Sequence, residues 1–232
     1  MDDGLLTPSS MISVEISRKQ LKKIYLEGNY FKTLHCGCFF DKIQQVYPKM
    51  CDHGPKGTEN REQRTILEWV HAVPVSTFAK SLKCWDEALC RGDGKGEGKG
   101  SRCCNVLSPK FKTREADMHN LFPAVGDEDE GPTELSGAFG GMQEYRFCRD
   151  KSTSVSSPRP GARGDIARAY FYMSRQYGVK IAEEVEDRFR KWHFEDPPDA
   201  WEEERNSFIE LVQGNRNPFI DHPEWVERVR DF

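Results

Sequence analysis

The segment Glu68-Trp69-Val70-His71-Ala72-Val73-Pro74 ends an alternating apolar stretch with one histidine. The alternation predicts a strand from Thr65 to His71, and the following proline is expected to change the direction of the chain. The ordinary pKa of imidazole lies near neutral pH, so a histidine at a strand end could take a proton from water that attacks a phosphodiester. A lone histidine beside tryptophan and valine is more often a hydrogen-bonded core residue. The segment alone therefore leaves both interpretations open.

Helices are predicted on both sides of this strand in the sequence. The first spans Ile16 to Glu27, and Glu115 to Leu121 predicts a short one. Three amphipathic helices follow. They are marked by apolar positions Ile166, Ala169, Tyr170, Met173 and Tyr177, then Val185, Phe189 and Trp192, then Trp201, Phe208, Ile209 and Val212. The glycine-rich stretch from Cys90 to Cys104 predicts an exposed loop without a following helix, and Gly126 to Gly141 an irregular segment. The pattern predicts helices around a small strand region.

Composition predicts one globular domain. The chain has 232 residues, of which 37% are hydrophobic, and it lacks a run of eighteen apolar residues that could span a membrane. Its net charge of −4 is unevenly distributed, because residues 181–232 carry fifteen acids and seven bases. The first 180 residues hold 27 bases against 23 acids. A basic surface is therefore expected in the first three quarters of the chain.

Eight cysteines, an even number, favour disulfides and an oxidising compartment. They are Cys36, Cys38, Cys51, Cys84, Cys90, Cys103, Cys104 and Cys148. A zinc site is the weaker alternative, since the spacing lacks the CxxC pairs of structural zinc sites. Residues 1–15 lack the basic start and apolar core of a signal peptide, which leaves a reducing, cytoplasmic location open as well.

Several blocks of residues, taken together, resemble the bacterial endonuclease I family of secreted and periplasmic nucleases. Besides the histidine segment, they are Cys36-Gly37-Cys38, Asp117-Met118-His119-Asn120-Leu121, Arg163-Gly164-Asp165-Ile166-Ala167-Arg168-Ala169-Tyr170-Phe171-Tyr172-Met173 and Gln213-Gly214-Asn215-Arg216-Asn217-Pro218-Phe219. The resemblance runs from about Ile16 to the C-terminus, which implies one endonuclease I-like domain over residues 16–232, preceded by a flexible segment over residues 1–15. It implies an α+β fold, a single mixed domain in which helices and disulfide-bridged loops surround a ββα-metal nuclease core. It also implies a monomer in the periplasm or outside the cell, with no membrane partner.

The resemblance also implies site residues. His71 corresponds to the family's general base, and Arg91 to an arginine that grips the phosphate. The cofactor implied is Mg²⁺, or another divalent cation such as Ca²⁺ or Mn²⁺. Val70 stands where family members usually have a glutamate ligand, and Asp129 replaces an asparagine ligand. Asp129 alone could retain the cation, or Glu68, about 6.6 Å back along the strand, could contribute if the strand bulges.

By this resemblance the chain is expected to be a sequence-independent endonuclease that hydrolyses DNA through contacts with the phosphate backbone. RNA is left open as a substrate, because such enzymes contact backbone rather than base edges. The departures at the metal ligands support an alternative, a degenerate relative that binds nucleic acid or a protein partner without cleaving it. A purely structural or protein-binding role is the third reading.

Overall fold

The computed structural model describes residues 13–52, 54–55, 65–90, 98–125, 148–149 and 158–232. Helix α1 spans Val14–Glu27 and begins at Ser13, whose side chain accepts a hydrogen bond from the Ile16 backbone N–H. Short strands and helices follow it. They are β1 (Gln45–Val46), β2 (Gly54–Pro55), β3 (Thr65–His71), α2 (Val75–Ala79), α3 (Lys83–Asp86), α4 (Ser101–Leu107), α5 (Pro109–Glu115), β4 (Leu121–Val125) and β5 (Cys148–Arg149). The predicted strand from Thr65 to His71 is confirmed.

A small antiparallel sheet with strand order β1-β3-β4 carries His71 at one end of its central strand. In the β3–β4 pair, Trp69 lies opposite Pro123 and His71 opposite Leu121. Strands β2 and β5 form a second pair by themselves. The mixture of helices with a small antiparallel sheet confirms the predicted α+β class.

The last third of the chain is helical, as its amphipathic pattern predicted. Helix α6 spans Arg163–Tyr177, α7 spans Glu183–Glu195, α8 spans Ala200–Gln213 and the short α9 spans Pro218–Asp221. Gly178, in the left-handed region at φ 66°, ends α6, where a residue without a Cβ is favoured. Within the described residues, no helix combines the length and apolar character that a membrane span requires.

Two clusters of buried apolar side chains form the core, and strand β3 runs from one to the other. Leu67 and Trp69 pack in the first cluster with residues of α1 and α8, such as Tyr25 and Ile209. Just past His71, Ala72 and Val73 join the second cluster, which is centred on α6. His71 thus lies at the point where the chain passes between two well-packed regions.

Several local expectations need correction. Ile16, assigned to the apolar side of the first helix, is 44% exposed. The short helix expected from Glu115 to Leu121 is present only as a 3₁₀ helix over Met118–Asn120. A helix that was not predicted precedes it at Pro109–Glu115, where Ser108 accepts a hydrogen bond from the Phe111 N–H and proline occupies the first turn. Helix α4 begins at Ser101, so a helix does follow the glycine-rich loop. The segment from Gly126 to Gly141 lies outside the described residues.

Disulfides join the cysteines of the first half of the chain. Cys38 bonds Cys51, Cys84 bonds Cys104, and Cys90 bonds Cys103. Cys36 is disulfide-bonded as well. Among the residues described there is no free cysteine, which confirms the disulfide prediction there and makes the zinc alternative wrong. The side chain of Cys148 is outside the described set.

Candidate functional site

His71 ends strand β3, and its half-buried ring is held from two sides. Its Nε2 lies 2.8 Å from the backbone carbonyl oxygen of Glu115, at the end of α5. The Phe78 ring of α2 packs against it edge to face, with the centroids 5.5 Å apart. A carbonyl oxygen can only accept, so Nε2 carries the proton and Nδ1 is the basic nitrogen. The described residues offer Nδ1 no hydrogen-bond partner.

Burial lowers the pKa of His71 to about 4, partly opposed by the hydrogen bond to Glu115, which raises it. The imidazole is therefore neutral at neutral pH. A neutral imidazole with one fixed tautomer can accept a proton at Nδ1, which is the property that a general base requires.

The chain directly after His71 is fixed by Asn120, which is fully buried. Its side-chain oxygen accepts a hydrogen bond from the Val73 N–H at 2.6 Å, and its amide nitrogen donates one to the Val73 carbonyl at 3.0 Å. Its backbone carbonyl accepts from the Ala72 N–H at 2.9 Å. These three bonds continue the β3–β4 pairing past the strand end, so they restrain the backbone directly after His71.

Asp117 is the centre of a buried polar network in the same turn as Asn120, whose backbone N–H donates to the Asp117 carbonyl. Its carboxylate accepts hydrogen bonds from the hydroxyls of Tyr172 and Tyr177, both at 2.6 Å, and from the Gln213 amide at 2.9 Å. The backbone N–H of His119 donates to it at 2.9 Å. Four donors compensate the burial of one carboxylate, and they join the turn before β4 to helices α6 and α8.

Gln213 and a second side chain of α8, Arg205, also hold the same turn by its backbone. Gln213 accepts from the Met118 N–H at 2.8 Å. Arg205 donates to the carbonyls of Met118 and Leu121 at 2.6 and 2.8 Å, with its guanidinium over the Phe122 ring. The position of the histidine strand therefore depends on residues of the last helices.

The remaining sequence blocks have structural roles of the same kind. Arg168, fully buried, is paired with Asp165 at 3.2 Å and with Glu202 through two hydrogen bonds. Asn217 is buried and donates to the Arg168 carbonyl at 3.1 Å. Burial and the neighbouring Glu202 raise the pKa of Asp165. These residues tie α6 to α8 and to the turn before α9.

The other predicted site residues are only partly described. Arg91 and Asp129 lie outside the described residues. Glu68 is half-buried opposite Ala124, and the pleat places its side chain on the same face as Val70 and opposite to that of Trp69. Where the structure describes the chain, no group of three histidine, cysteine or carboxylate side chains could hold a metal ion. The described residues do not by themselves form a cation site, and the proposed ligand roles stay predictions.

Sequence reasoning missed the groups that orient the histidine. The Glu115 carbonyl leaves no trace in a side-chain pattern, and Phe78 reads as an ordinary core residue. The Asp117 to Leu121 block was noted as a motif, but its role as the support of the histidine strand follows only from the contacts of Asn120 and Asp117. The signal available in the sequence was an acid and an amide, Asp117 and Asn120, within one short block.

Comparison with known proteins connects this arrangement to one family. The model of the family described as Endonuclease I matches residues 39–224. A periplasmic deoxyribonuclease of Aeromonas hydrophila is 37% identical over 88% of this chain and 83% of its own length. Endonuclease-1 of Buchnera aphidicola is 30% identical over 85% of this chain and 76% of its own. An extracellular ribonuclease of Bacillus amyloliquefaciens is 39% identical over 49% of this chain and 46% of its own.

Proposed function

The chain belongs to the endonuclease I family, and we propose that it is a nuclease that cuts DNA internally with His71 as its general base. The observation that carries the proposal is the orientation of His71. Its Nε2–H is held by the Glu115 carbonyl, which leaves Nδ1 as the proton acceptor.

In the proposed reaction, Nδ1 of His71 takes a proton from water as the water oxygen attacks the phosphorus. A new P–O bond forms, the bond to the leaving oxygen breaks, and that oxygen is protonated from solvent. Burial lowers the histidine pKa to about 4, so Nδ1 is unprotonated at neutral pH, but the same shift makes it a weaker proton acceptor than an exposed histidine. Arg91 is proposed to contact the phosphate oxygens, as a guanidinium does in bidentate pairs.

A divalent cation, Mg²⁺ or another such as Ca²⁺ or Mn²⁺, is proposed as cofactor, with Asp129 and Glu68 as its candidate ligands. When bound, such a cation supplies positive charge to the phosphate. Val70, in place of a ligating glutamate, supports the second candidate function. That candidate is a relative which binds nucleic acid, or a protein partner, without cleaving it.

The relatives include deoxyribonucleases and ribonucleases, so both DNA and RNA are proposed substrates, with DNA first because the matches to deoxyribonucleases span most of the chain. A periplasmic or extracellular location is proposed from the printed names of those relatives and from the disulfides, which an oxidising compartment preserves. A monomer remains the expected state.

The test is cleavage of supercoiled plasmid with Mg²⁺ or with EDTA. Wild type is expected to nick the plasmid only with the cation. His71→Ala should lose about 10²- to 10⁴-fold of the rate, the usual contribution of a positioned base. His222→Ala, which removes an exposed histidine, is the matched control. Wild-type turnover in the purified His71→Ala protein would refute the base assignment, and binding without nicking in wild type would establish the second candidate.

The same assay tests the cation ligands through the Mg²⁺ dependence of the rate. Val70→Glu adds a carboxylate next to His71 and should lower the Mg²⁺ concentration required, whereas Asp129→Ala should raise it. The double variant measures whether the two positions are coupled. An unchanged Mg²⁺ dependence in all three proteins would show that these positions hold no cation.

A further inference from the structure

A cleft of about 380 Å³ is lined in part by Phe78, whose ring also packs against His71. Elements α2, α5, α6 and the start of α7 form it. Its wall contains apolar residues, among them Phe78, Val179 and Ile181, and its polar lining contains Lys80, Ser81, Arg114 and Lys180. Three cations and no carboxylate line it, so its chemistry suits an anion.

Arg114 is the centre of this charge. It is half-buried and donates to the Phe78 carbonyl at 2.5 Å, to the Ser81 hydroxyl at 3.2 Å and to the Tyr177 carbonyl at 3.3 Å. Its guanidinium also lies over the Tyr177 ring, 5.5 Å from the centroid. All of these partners are neutral, so the guanidinium charge is oriented in the cleft without a carboxylate to balance it among the residues that the structure describes.

Two exposed lysines add positive charge at the rim of the cleft. Lys80 follows α2 and Lys180 precedes α7, and both are exposed. Neither forms an ion pair within the described part of the chain, in contrast to Lys191, whose ammonium lies 3.7 Å from Glu195. Glu183 and Glu184 begin α7 nearby, but both are exposed and neither lines the cleft.

We propose that this cleft binds a backbone phosphate of the nucleic-acid strand that is being cut, next to the phosphate at His71. The inference rests on the proposed nuclease function, and it adds a second anchoring point for the substrate. Position supports it, because Phe78 contacts the His71 ring and lines the cleft, and because Arg114 precedes the residue whose carbonyl orients His71. Three cations that line one cleft suit a phosphodiester backbone, which carries one negative charge per nucleotide.

The test measures binding apart from cleavage. A fluorescein-labelled 16-nucleotide single strand and the matching duplex are titrated with His71→Ala protein in EDTA at several salt concentrations, and binding is followed by anisotropy. Added Lys80→Ala or Lys180→Ala should each weaken binding about 3- to 10-fold and reduce the slope of log K against log salt by about 0.7 to 0.9. Both residues are exposed, so folding should be preserved. Lys191→Ala is the matched control and should bind like its parent.

Lysine variants of the cleft that bind the oligonucleotide as the Lys191→Ala control does would overturn the proposal. Thymidine 5′-monophosphate, added as a competitor, should displace the strand only at far higher concentration. Equal potency of this mononucleotide would also overturn it, since the cleft would then be a site for free nucleotides. If wild type cuts no plasmid but cleft variants lose strand affinity, the proposed cleavage fails and the cleft assignment stands. If wild type cuts and cleft variants bind normally, only the cleft assignment fails.

Discussion

The region from Thr33 to Leu107 and the region from Pro158 to Phe232 are stabilised in different ways. The first has short elements and three described disulfides, Cys38–Cys51, Cys84–Cys104 and Cys90–Cys103. The second contains no cysteine. It has long helices with stacked aromatic rings, such as Phe171 and Phe232 with centroids 4.3 Å apart, and buried polar bonds. Covalent bonds join the short elements of the first region, and packing of long apolar helix faces joins the elements of the second.

The candidate site lies between these two regions and depends on both. His71 belongs to the first region, but the turn that fixes its strand is held by Tyr172, Arg205 and Gln213 of the second. The disulfides alone therefore do not position the histidine. Three perturbations separate the two contributions.

The largest effect on stability is expected from Asp117→Ala. Two tyrosine hydroxyls, one amide and one backbone N–H would lose their shared acceptor, so we expect the free energy of unfolding to fall by about 3 to 5 kcal/mol. Urea denaturation measures it. Asp187→Ala removes an exposed acid and should change little. Tyr177→Phe, which removes one donor, should cost about 1 kcal/mol. A loss below about 1 kcal/mol in Asp117→Ala would mean that the network does not join the two regions.

Reduction of the disulfides should have the second-largest effect for each bond, about 2 to 4 kcal/mol. Loosening should be confined to the first region, because the helices of the second contain no cysteine. Hydrogen exchange after reduction and alkylation should rise around Cys84 and Cys104 while α6 and α8 stay protected. Native oxidised protein, analysed by mass after alkylation without reductant, serves as the control and should show no free thiol. Equal deprotection of α6 would contradict the comparison.

The smallest effect at neutral pH should come from His119, which is buried in the network with its Nε2 3.1 Å from the Asn215 carbonyl. Burial lowers its folded-state pKa from 6.5 to about 4, so folding favours the neutral ring. This contribution is complete above pH 6.5 and is lost as the pH falls from 6.5 towards 4, by about 1 kcal/mol per pH unit or less. His119→Gln should reduce the fall in unfolding free energy over that window but not abolish it, because burial also lowers the pKa of His35 and of His71 to about 4. His222→Gln, at an exposed position, should leave it unchanged, and identical profiles for both variants would refute this role.

The sequence predicted regular elements well and their supports poorly. The strand from Thr65 to His71 and helices α6, α7 and α8 follow from apolar periodicity, which is a local property of the chain. Helix α5, which begins at a serine cap and a proline, was not predicted, and the short helix expected from Glu115 to Leu121 is only a 3₁₀ helix over Met118–Asn120. The orientation of His71 could not be predicted, since it depends on a backbone carbonyl 44 positions away in the chain. Asp117 and Asn120 were recognised as a block, but their partners in α6 and α8 are set by tertiary packing.

The sequence separation within the Asp117 network sets an order of events on the ribosome. Gln213 follows Asp117 by 96 positions, and Arg205 follows Leu121 by 84. At a synthesis rate of about 5 to 20 residues per second, the turn before β4 waits roughly 5 to 20 s for these partners. During that interval His71 has been made but its strand is not yet fixed in place. For the nuclease proposed above, the histidine strand is therefore expected to reach its final position only near the end of translation.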